Sequence, residues 1–544
     1  MALSNEAYQA LEDILGTEYI SGEPVILDSY AWMRANDLRT KDRSGFFIRP
    51  EAVVLPGSTE EVQAVIRACN RFRIKCKAFS TGWIGLAQPS GTGVINMDLR
   101  RLNRILDIDE KNMFAVIEPY VIGSQLQAEV MKLGLNCHLI GAGSNCSPLA
   151  AATSFIGNGA DGVFMGYSSE TLLALEWVTP NGDILRTGSL GAGVGWSCGE
   201  GPGPSLRGIA RGTSGASGAL GIFTKCAVKL APWPGPDEML VEGTIPAYCT
   251  KLPNNFRAYT LTLPSWKAYT DACYKIYDAE IGYIAHRQFS MLGEDLSTAF
   301  FALYRDPTKS LDDLEEFTQK PEIQKLAHEL RHYSFQLILA GMTPGDIEYQ
   351  EKVLNQILAE TGGHRVAAMS EPATAQFVLL YLLKLHCKHL NHVYAGGKSQ
   401  YFRPDGSPDY SIEYAPFMIE FLKKYQEKGT LVKTGGDSLM GTLAAIGGGG
   451  DFHLEQFVSY NPNDMESINA TRELTEEARK VAAEKMPGSS AALAGLPPDA
   501  MLAALAASAQ SIRYHWQWKI KQMLDPNGVG EPAGYPMLKE PPND

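Results

Sequence analysis

Three glycine-rich turns, each following a hydrophobic run typical of a β-strand, constrain the fold of this chain more than any other feature. They occupy residues 79–87, 143–161 and 212–222, and the first two contain no basic residue. Glycine permits positive φ and a close approach of the backbone to a ligand, so that successive N–H groups can converge on a pyrophosphate. One such turn alone is as well explained as a connection between strands. The three in this order predict a cradle for a dinucleotide cofactor.

Two other nucleotide-binding signatures are incomplete in this sequence. A P-loop that ends at Gly397-Lys398-Ser399 would need a glycine where His392 stands. A G-x-G-x-x-G fingerprint beginning at Gly141 would need a glycine where Cys146 stands, and no early βαβ unit precedes it. The sequence therefore argues against a P-loop enzyme and against a Rossmann dinucleotide domain.

Several segments resemble, in the same order, the FAD-binding domain of the vanillyl-alcohol oxidase and p-cresol methylhydroxylase family, which includes D-lactate and glycolate dehydrogenase-like members. They are residues 50–62, 94–109, 175–188 and 218–225. The resemblance covers residues 8–235 and resumes at 523–528, and it identifies the family without deciding between its branches.

The resemblance implies an α+β fold with a two-subdomain FAD-binding domain of the PCMH type. We expect this domain, with an N-terminal arm, over residues 1–235, and an α+β substrate or cap domain over 236–465. Residues 466–544 are expected to form a C-terminal helical segment that returns to the flavin and completes its site.

Local patterns predict individual elements. Apolar Val62, Val65, Ile66 and Cys69 predict a helix over 59–72. Charged and aromatic patterns predict helices over 464–482 and 512–519, and residues 410–414 read as a strand.

The cofactor implied by the resemblance is FAD. Residues predicted to bind it are Ser80, Thr81, Gly82, Trp83, Ile84, Gly85, Gly143, Ser144, Gly157, Asn158, Gly218, Gly221, Ile222 and Asn527. Trp83 stands where covalently linking relatives place histidine, so attachment through that loop is excluded and noncovalent FAD is expected. A thiol link through Cys146 or a tether from the cap domain stays open.

The segment 447–457 is the best catalytic candidate outside the cofactor domain, because four glycines precede Asp451, His453 and Glu455. On a strand these three side chains share one face. We predict His453 as the general base for an alcohol, since its ordinary pKa suits proton removal at neutral pH, with Glu455 or Tyr460 orienting the substrate. The alternative is a polar sheet face that lines solvent.

Asp161 and the histidines have competing interpretations. Asp161 lies in a turn where phenol-oxidising relatives carry flavin-facing residues, so it is a candidate base or a residue that tunes the flavin, although aspartate is also common in turns. D-lactate-type relatives carry a metal motif H-x-G-D-G-N-x-H at a place similar to 448–455, but here its histidines fall on Gly448 and Glu455. His386, His389 and His392 lie among lysines and indicate a solvated basic helix face. No metal is predicted.

Composition and net charge limit the kinds of partner and the cellular compartment that we expect for this chain. The 544 residues carry a net charge of −13, which argues against nucleic acid and anionic membranes. We expect no membrane span and no secretory signal, and hence a cytoplasmic protein. The nine cysteines form no C-x-x-C pair, which argues against a disulfide framework or an iron–sulfur site. A small-molecule substrate, an electron-acceptor protein and a homo- or hetero-oligomer are the expected partners.

The predicted function is an FAD-dependent dehydrogenase or oxidase. It would move a hydride from a hydroxylated carbon, in a 2-hydroxy acid or a phenolic or benzylic alcohol, to the flavin, and pass the electrons to a protein partner or oxygen. Two alternatives stay open at this point. One is a flavin-dependent reductase or redox-neutral enzyme of the same family, and the other is a flavin-carrying electron-transfer subunit.

Overall fold

The structure is a computed structural model of the chain. It describes residues 3–31, 48–82, 89, 91–141, 143–154, 157–212, 215–243, 249–287, 316, 319–384, 398–400, 402–429, 431, 437, 439–447, 449–461, 464–486, 511–532 and 535–539.

The N-terminal part folds around a small sheet covered by helices. Its elements are α1 (Asn5–Leu15), β1 (Ile20–Ser21), α2 (Pro24–Ala31), β2 (Ala52–Val54), α3 (Thr59–Phe72), β3 (Lys75–Phe79) and β4 (Val94–Asp98). The strand order is β1-β2-β4-β3, with β2, β4 and β3 parallel. Ser58 caps α3 by accepting a hydrogen bond from the Glu61 amide at 3.1 Å. The predicted helix over 59–72 is confirmed, and its four apolar positions are buried.

A second, antiparallel sheet follows. The elements are β5 (Ile105–Asp109), β6 (Phe114–Ile117), α4 (Gly123–Met131), β7 (Leu135–Asn136), α5 (Pro148–Thr153), α6 (Gly162–Met165), α7 (Ser168–Thr171), β8 (Leu172–Val178), β9 (Ile184–Arg186), α8 (Gly188–Gly191), α9 (Arg207–Ala210), β10 (Ile222–Lys229) and β11 (Ala231–Pro232). The strand order is β5-β6-β10-β8-β9, and β7 pairs with β11. The predicted glycine turns lie after β3, around α5 and α6, and before β10.

The middle of the chain builds a large antiparallel sheet. Its elements are β12 (Val241–Glu242), β13 (Cys249–Thr250), β14 (Phe256–Thr262), α10 (Trp266–Asp278), β15 (Ile284–Arg287), α11 (Pro321–Arg331), β16 (Ser334–Ala340), α12 (Pro344–Thr361), β17 (His364–Arg365), α13 (Pro372–Lys384), β18 (Lys398–Gln400), β19 (Asp405–Gly406), α14 (Pro408–Glu413), α15 (Ala415–Glu427), β20 (Leu439–Ile446) and β21 (Gly449–Ser459). The strands of the large sheet lie in the order β17-β14-β16-β15-β20-β21-β18, with β19 also paired to β21. We call this eight-stranded sheet the cap sheet.

Each face of the cap sheet has its own packing. One face carries Leu337, Leu443 and Phe452, which are buried in a core with residues of α10, α12, α14, α15 and the helix over 465–485. The other face carries Ile284 and Ile338, which pack with α13 and with residues of the N-terminal half. The cap sheet therefore lies between its own helices and the part of the N-terminal half that contains the second glycine turn.

One predicted strand is wrong. Residues 410–414 lie largely in the helix α14, which begins after Ser407, and the Ser407 hydroxyl accepts a hydrogen bond from the Tyr410 amide at 3.3 Å. A serine cap followed by proline at the first helical position favours a helix start over the alternating pattern.

The C-terminal part contributes α16 (Met465–Lys485) and α17 (Ser511–Leu524), as the charge and aromatic patterns predicted. After α17 the chain runs beside β3, where the Cys76 amide donates to the Val529 carbonyl at 2.7 Å and the Glu531 amide donates to the Cys76 carbonyl at 3.0 Å. The described helices include none with the length and apolar character needed to cross a membrane.

Candidate functional site

The third glycine turn is fixed to the C-terminal segment by two buried lysines. Lys77 Nζ donates to the Ser217 carbonyl at 3.0 Å and lies 3.3 Å from the Glu531 carboxylate. Lys521 Nζ donates to the Ala219 carbonyl at 2.6 Å. Burial lowers the pKa of both lysines, while their carboxylate partners act in the opposite direction. Sequence reasoning missed these lysines, because neither lies in a glycine turn.

The predicted glycines of the third turn are required for different reasons. Gly218 has φ +75° and lies close to Lys77 and Ala78. Gly221 has φ +110°, and a Cβ there would lie 2.3 Å from the Val178 carbonyl oxygen. Ile222 begins β10 and pairs with Val178. Close packing between strands therefore explains the glycine at 221 without any ligand.

Replacing Gly221 with alanine is expected to destabilise the protein by about 1–3 kcal/mol even without FAD, because the new methyl group meets a backbone oxygen. Gly193→Ala is the matched control, since Gly193 also has positive φ, at +76°, but faces open space. Thermal unfolding of FAD-free protein measures both variants. Equal losses in the two variants would contradict a packing role at 221.

The first glycine turn is described as far as Gly82. Ser80 Oγ donates to the Pro119 carbonyl at 2.6 Å, Thr81 is half-buried, and Gly82 has φ +66°. Trp83, Ile84 and Gly85 lie outside the described residues. The turn therefore starts at the joint between the two sheets of the N-terminal half.

The second turn is held together by main-chain bonds. Gly143 has φ +137°, and the Ser144 carbonyl accepts from the Ser124 amide at 2.8 Å. The Asn158 carbonyl accepts from the Gly141 amide at 2.7 Å. A Cβ at Gly157 would lie 2.0 Å from Ser168 Oγ, so this glycine also has a packing reason.

Asp161 is a fixed partner inside the second turn. Its Oδ2 accepts from the Leu139 amide at 3.0 Å, and its Oδ1 lies 2.8 Å from His138 Nδ1. His138 Nε2 lies 2.9 Å from the Gly157 carbonyl oxygen. Burial lowers the pKa of His138, but Asp161 outweighs burial and the pKa is raised. Both carboxylate oxygens of Asp161 face protein partners, so its predicted role as a base gains no support from its contacts.

Asn527 is not brought to the glycine turns by its side-chain contacts. Its Nδ2 donates to Asn70 Oδ1 at 2.8 Å, at the C-terminal end of α3. Its predicted contact with the cofactor stays a prediction. The neighbouring segment 529–531, rather than Asn527, forms the contacts with β3.

A row of polar side chains crosses the cap sheet on the face that meets the N-terminal half. Its members are cross-strand partners, in the order Thr260, Gln336, His286, Thr442, His453 and Asp405. All but Asp405 are buried, and His286 Nδ1 lies 2.7 Å from Thr442 Oγ1. A Cβ built at Gly162 of α6 would lie 3.3 Å from Thr442 Cγ2, which fixes the side that this row faces. We call it the polar row.

His453 lies between two carboxylates. Its Nδ1 pairs with Asp405, and its Nε2 lies 2.9 Å from Glu455 Oε1. Burial lowers the pKa of His453, but Asp405 and Glu455 together raise it to about 9. The ring is therefore an imidazolium at neutral pH, and the prediction that His453 is the free base is not supported. The sequence could not show this, because Asp405 lies 48 residues away.

Arg403 completes this charge cluster. Its Nε donates to Asp405 Oδ2 at 2.8 Å. Although burial raises the pKa of Asp405, Arg403 and His453 lower it further, to about 2. Burial likewise raises the pKa of Glu455, and His453 and Arg403 outweigh it, so that the pKa is lowered. Both carboxylates are thus ionised and serve as partners of cations.

Tyr460 is placed apart from this cluster. It is fully buried and belongs to the core between the cap sheet and its helices. The structure does not bring Tyr460 to the face of His453, because β21 ends at Ser459 and residues of opposite parity point to the helical core. Its predicted role in orienting substrate is therefore not supported.

Asp451 joins the cap sheet to the N-terminal half. Its Oδ1 accepts from the Tyr167 hydroxyl at 2.8 Å, and Tyr167 lies between α6 and α7. Burial raises the pKa of Asp451 to about 6, against the lowering effect of Tyr167. As predicted, Asp451, His453 and Glu455 share one face of the strand, opposite Phe452 and Leu454. Tyr167 was missed, since a lone tyrosine between two short helices carries no signal in the sequence.

The stability that ionised His453 contributes should depend on pH. The pKa of this histidine is raised in the fold to about 9. Its contribution is therefore complete below the ordinary histidine pKa near 6.5 and is lost as pH rises to about 9. Denaturant unfolding should show that the advantage of the wild type over His453→Gln shrinks by at most about 3 kcal/mol across this window. An advantage that grows with pH would contradict the assignment.

Residues 50–188 match the family model described as FAD binding domain. This part of the chain is an FAD-binding domain. The resemblance drawn from the sequence is confirmed, and FAD is the cofactor that the domain binds. The matched range includes the first two glycine turns and ends before the third, which the C-terminal segment holds in place.

Curated relatives match the FAD-binding half of the chain. Glycolate oxidase subunit GlcD of Bacillus subtilis (strain 168) is 29% identical over 196 residues, which are 35% of this chain and 39% of the relative. The 4-cresol dehydrogenase [hydroxylating] flavoprotein subunit of Pseudomonas putida is 32% identical over 195 residues, which are 34% of this chain and 36% of the relative. The matches thus span less than half the length of these relatives.

The whole chain is similar in fold to a solved structure. Substrate-bound p-cresol methylhydroxylase superposes with a TM-score of 0.73 at 17% identity, and the match covers 98% of this chain and 97% of that one. The predicted α+β architecture, with a cap sheet over a PCMH-type FAD-binding domain, is confirmed.

Buried polar atoms at the cradle fit a bound FAD. Asn96 lies between Val53 and Lys77 across β2, β4 and β3, and its amide oxygen and nitrogen are buried with no hydrogen-bond partner among the described residues. Asn145 Oδ1 in the second turn is also buried with no hydrogen-bond partner among the described residues. Buried amides normally have partners, and a cofactor rich in polar atoms would supply them. For the described residues, no group of three His, Cys, Asp or Glu side chains is placed to hold a metal ion.

Proposed function

We propose that the protein is an FAD-dependent dehydrogenase or oxidase that removes a hydride from a hydroxylated carbon of a 2-hydroxy acid or of a phenolic or benzylic alcohol. The observation that carries the proposal is the polar face of the cap sheet, which is buried against the segment 157–167 of the FAD-binding half. The names of the relatives, a glycolate oxidase subunit and a 4-cresol dehydrogenase subunit, agree with hydroxylated substrates.

In this proposal the N-terminal half binds the cofactor and the cap sheet contacts the substrate. A bound flavin supplies the acceptor for two electrons. The glycine turns, together with Asn96 and Asn145, would hold FAD noncovalently, and the buried lysines keep the third turn and the C-terminal segment in place. The cap face supplies charged and hydrogen-bonding groups in a buried setting, where they are strongest. The apolar part of the same face is packed against α13, and this packing would limit the access of water to the polar row.

Visible spectroscopy tests the cofactor. Purified protein should be yellow, and acid precipitation should release the flavin into the supernatant. Flavin that stays with the pellet would overturn noncovalent binding but not the FAD assignment. Protein that is folded, colourless and unable to bind added FAD would overturn both.

Anaerobic photometry tests the reaction. D-lactate, glycolate and 4-hydroxybenzyl alcohol are mixed in turn with the FAD-loaded protein, and at least one of them should bleach the flavin band. If only a chemical reductant bleaches it, the reductase or redox-neutral alternative takes the place of oxidation. If no substrate interacts and the reduced protein passes electrons to a partner, it is an electron-transfer subunit.

The electron acceptor follows from reoxidation. We favour a dehydrogenase that passes electrons to a protein partner, because the 4-cresol dehydrogenase relative is named as a flavoprotein subunit. Substrate-reduced protein should then be reoxidised faster by an artificial one-electron acceptor than by dissolved oxygen. A faster reaction with oxygen would make it an oxidase. The cytoplasmic location, the oligomer and the domain boundaries at 235 and 465 stay predictions.

A further inference from the structure

We propose that Asp451 is the group that accepts the hydroxyl proton of the substrate, and that Tyr167 positions it. The inference rests on the proposed function, since it concerns the same oxidation. It replaces His453 by a different residue of the same strand as the catalytic base.

Asp451 differs from the other acidic and basic groups of the cap face in how many of its polar atoms have protein partners. His453 is fully buried, and each of its ring nitrogens faces a carboxylate. Asp451 is half-buried, and only its Oδ1 is engaged, by the Tyr167 hydroxyl. Its Oδ2 accepts no hydrogen bond from the described residues. One carboxylate oxygen is thus held by the FAD-binding half while the other is available to a substrate.

The position of Asp451 agrees with this role. Ala444 is the cross-strand partner of Asp451. A Cβ built at Gly162, which directly follows Asp161 at the end of the second glycine turn, would lie 3.1 Å from the Ala444 side chain. Tyr167 lies in the same stretch of the FAD-binding half. Asp451 therefore stands where the cap sheet meets the second glycine turn.

Among the described residues, four titratable or charged groups act on Asp451, one from its own strand and three from neighbouring segments. They are Tyr167, Asp405, His453 and Arg403. Burial and Asp405 raise the pKa of Asp451, and Tyr167, His453 and Arg403 lower it, for a result of about 6. A carboxylate with a pKa just below neutral pH is ionised and still a useful proton acceptor, whereas Asp405, with a pKa of about 2, is a poor one.

The step balances without a further reagent. A bound flavin would supply the two-electron acceptor, so that the substrate carbon would lose its hydrogen as a hydride with both electrons. The hydroxyl oxygen loses its proton to Asp451 Oδ2, and a C=O bond forms from the C–O bond. Asp451 then returns the proton to solvent. The Tyr167 hydroxyl keeps its own proton, because burial raises the pKa of this phenol well above its ordinary value.

The test uses the FAD-loaded protein and variants that keep its shape. Asp451→Asn should slow anaerobic flavin reduction by about 10²–10⁴-fold, and Asp451→Glu should restore part of the rate. Tyr167→Phe should move the acidic limb of the rate to higher pH, because it removes a hydrogen bond that lowers the pKa of Asp451. Tyr259→Phe is the matched control, since Tyr259 also donates to a carboxylate, Glu351, but on the other face of the sheet. It should leave the profile unchanged.

A second measurement does not depend on turnover. Infrared difference spectra of the protein without substrate should show a protonated carboxyl band that disappears with a midpoint near pH 6 and is missing in Asp451→Asn. The absence of this band from the wild type would overturn the inference. So would equal reduction rates in the wild type and Asp451→Asn. If no alcohol or hydroxy acid reduces even the wild type, the proposed function fails first, and the inference fails with it.

Discussion

Replacement of Lys521 by methionine will destabilise the protein by about 3–5 kcal/mol and release its FAD. Lys521 Nζ pairs with Asp525 and donates to the carbonyls of Ala219 and Gly530. Methionine fills a similar volume but leaves Asp525 as a buried charge without its cation. Two backbone carbonyls also lose their donor. The third glycine turn and the segment beside β3 should therefore separate together.

Thermal unfolding and flavin release, measured on the same samples, check this result. Lys519→Met is the matched control, because Lys519 lies on the same helix with an exposed side chain above the Trp516 ring. It should change neither the midpoint nor the bound flavin. If both variants behave alike, the buried lysine does not hold the cradle together. Loss of stability with full retention of FAD would show that the turn keeps its shape without the C-terminal segment.

Replacement of Arg287 by methionine is expected to cost a similar amount, about 3–5 kcal/mol, in the cap sheet. Arg287 and Asp437 pair with both side chains fully buried, and Arg287 also donates to the Ser334 carbonyl at 2.9 Å. The guanidinium lies 5.0 Å from the centre of the Trp266 ring. Removing the cation leaves the buried Asp437 carboxylate with His332 Nδ1, at 3.1 Å, and the Leu439 amide as its partners among the described residues, and loss of the guanidinium is the costly half of the change.

Two further variants make this prediction specific. Asp437→Asn in the Arg287→Met background removes the stranded charge but can still accept from the Leu439 amide, so it should recover much of the lost stability. Arg257→Met is the surface control, because its pair with Glu351 at 3.3 Å is about one-third exposed and contributes at most about 1 kcal/mol. Denaturant unfolding of the four proteins compares them. A double variant no better than Arg287→Met would contradict the buried-charge argument.

The site shows where sequence reasoning reaches its limit. The face shared by Asp451, His453 and Glu455 could be predicted, because alternation along a strand is a local property. The predicted role of His453 as a free base is not supported, because its charge depends on Asp405 and Glu455. Asp405 belongs to a separate segment of the chain, so its proximity could not be predicted from the strand alone. Alternation did not place Tyr460, which lies one residue beyond the end of the strand and is buried in the core on the helical side of the sheet.

The sequence by itself determined several helices and the cofactor domain, although it misassigned residues 410–414. The helix of Thr59–Phe72 follows from four apolar positions and a serine cap, and the glycine turns follow from backbone conformations that few other residues adopt. Each of these depends on neighbours within a few residues. Only the tertiary structure decided which buried polar groups meet, as when Lys521 donates a hydrogen bond to the Ala219 carbonyl, 302 residues away in the chain. The proton affinity of a buried group is set by the partners and the solvent that folding brings or removes, so it is a property of the fold rather than of a motif.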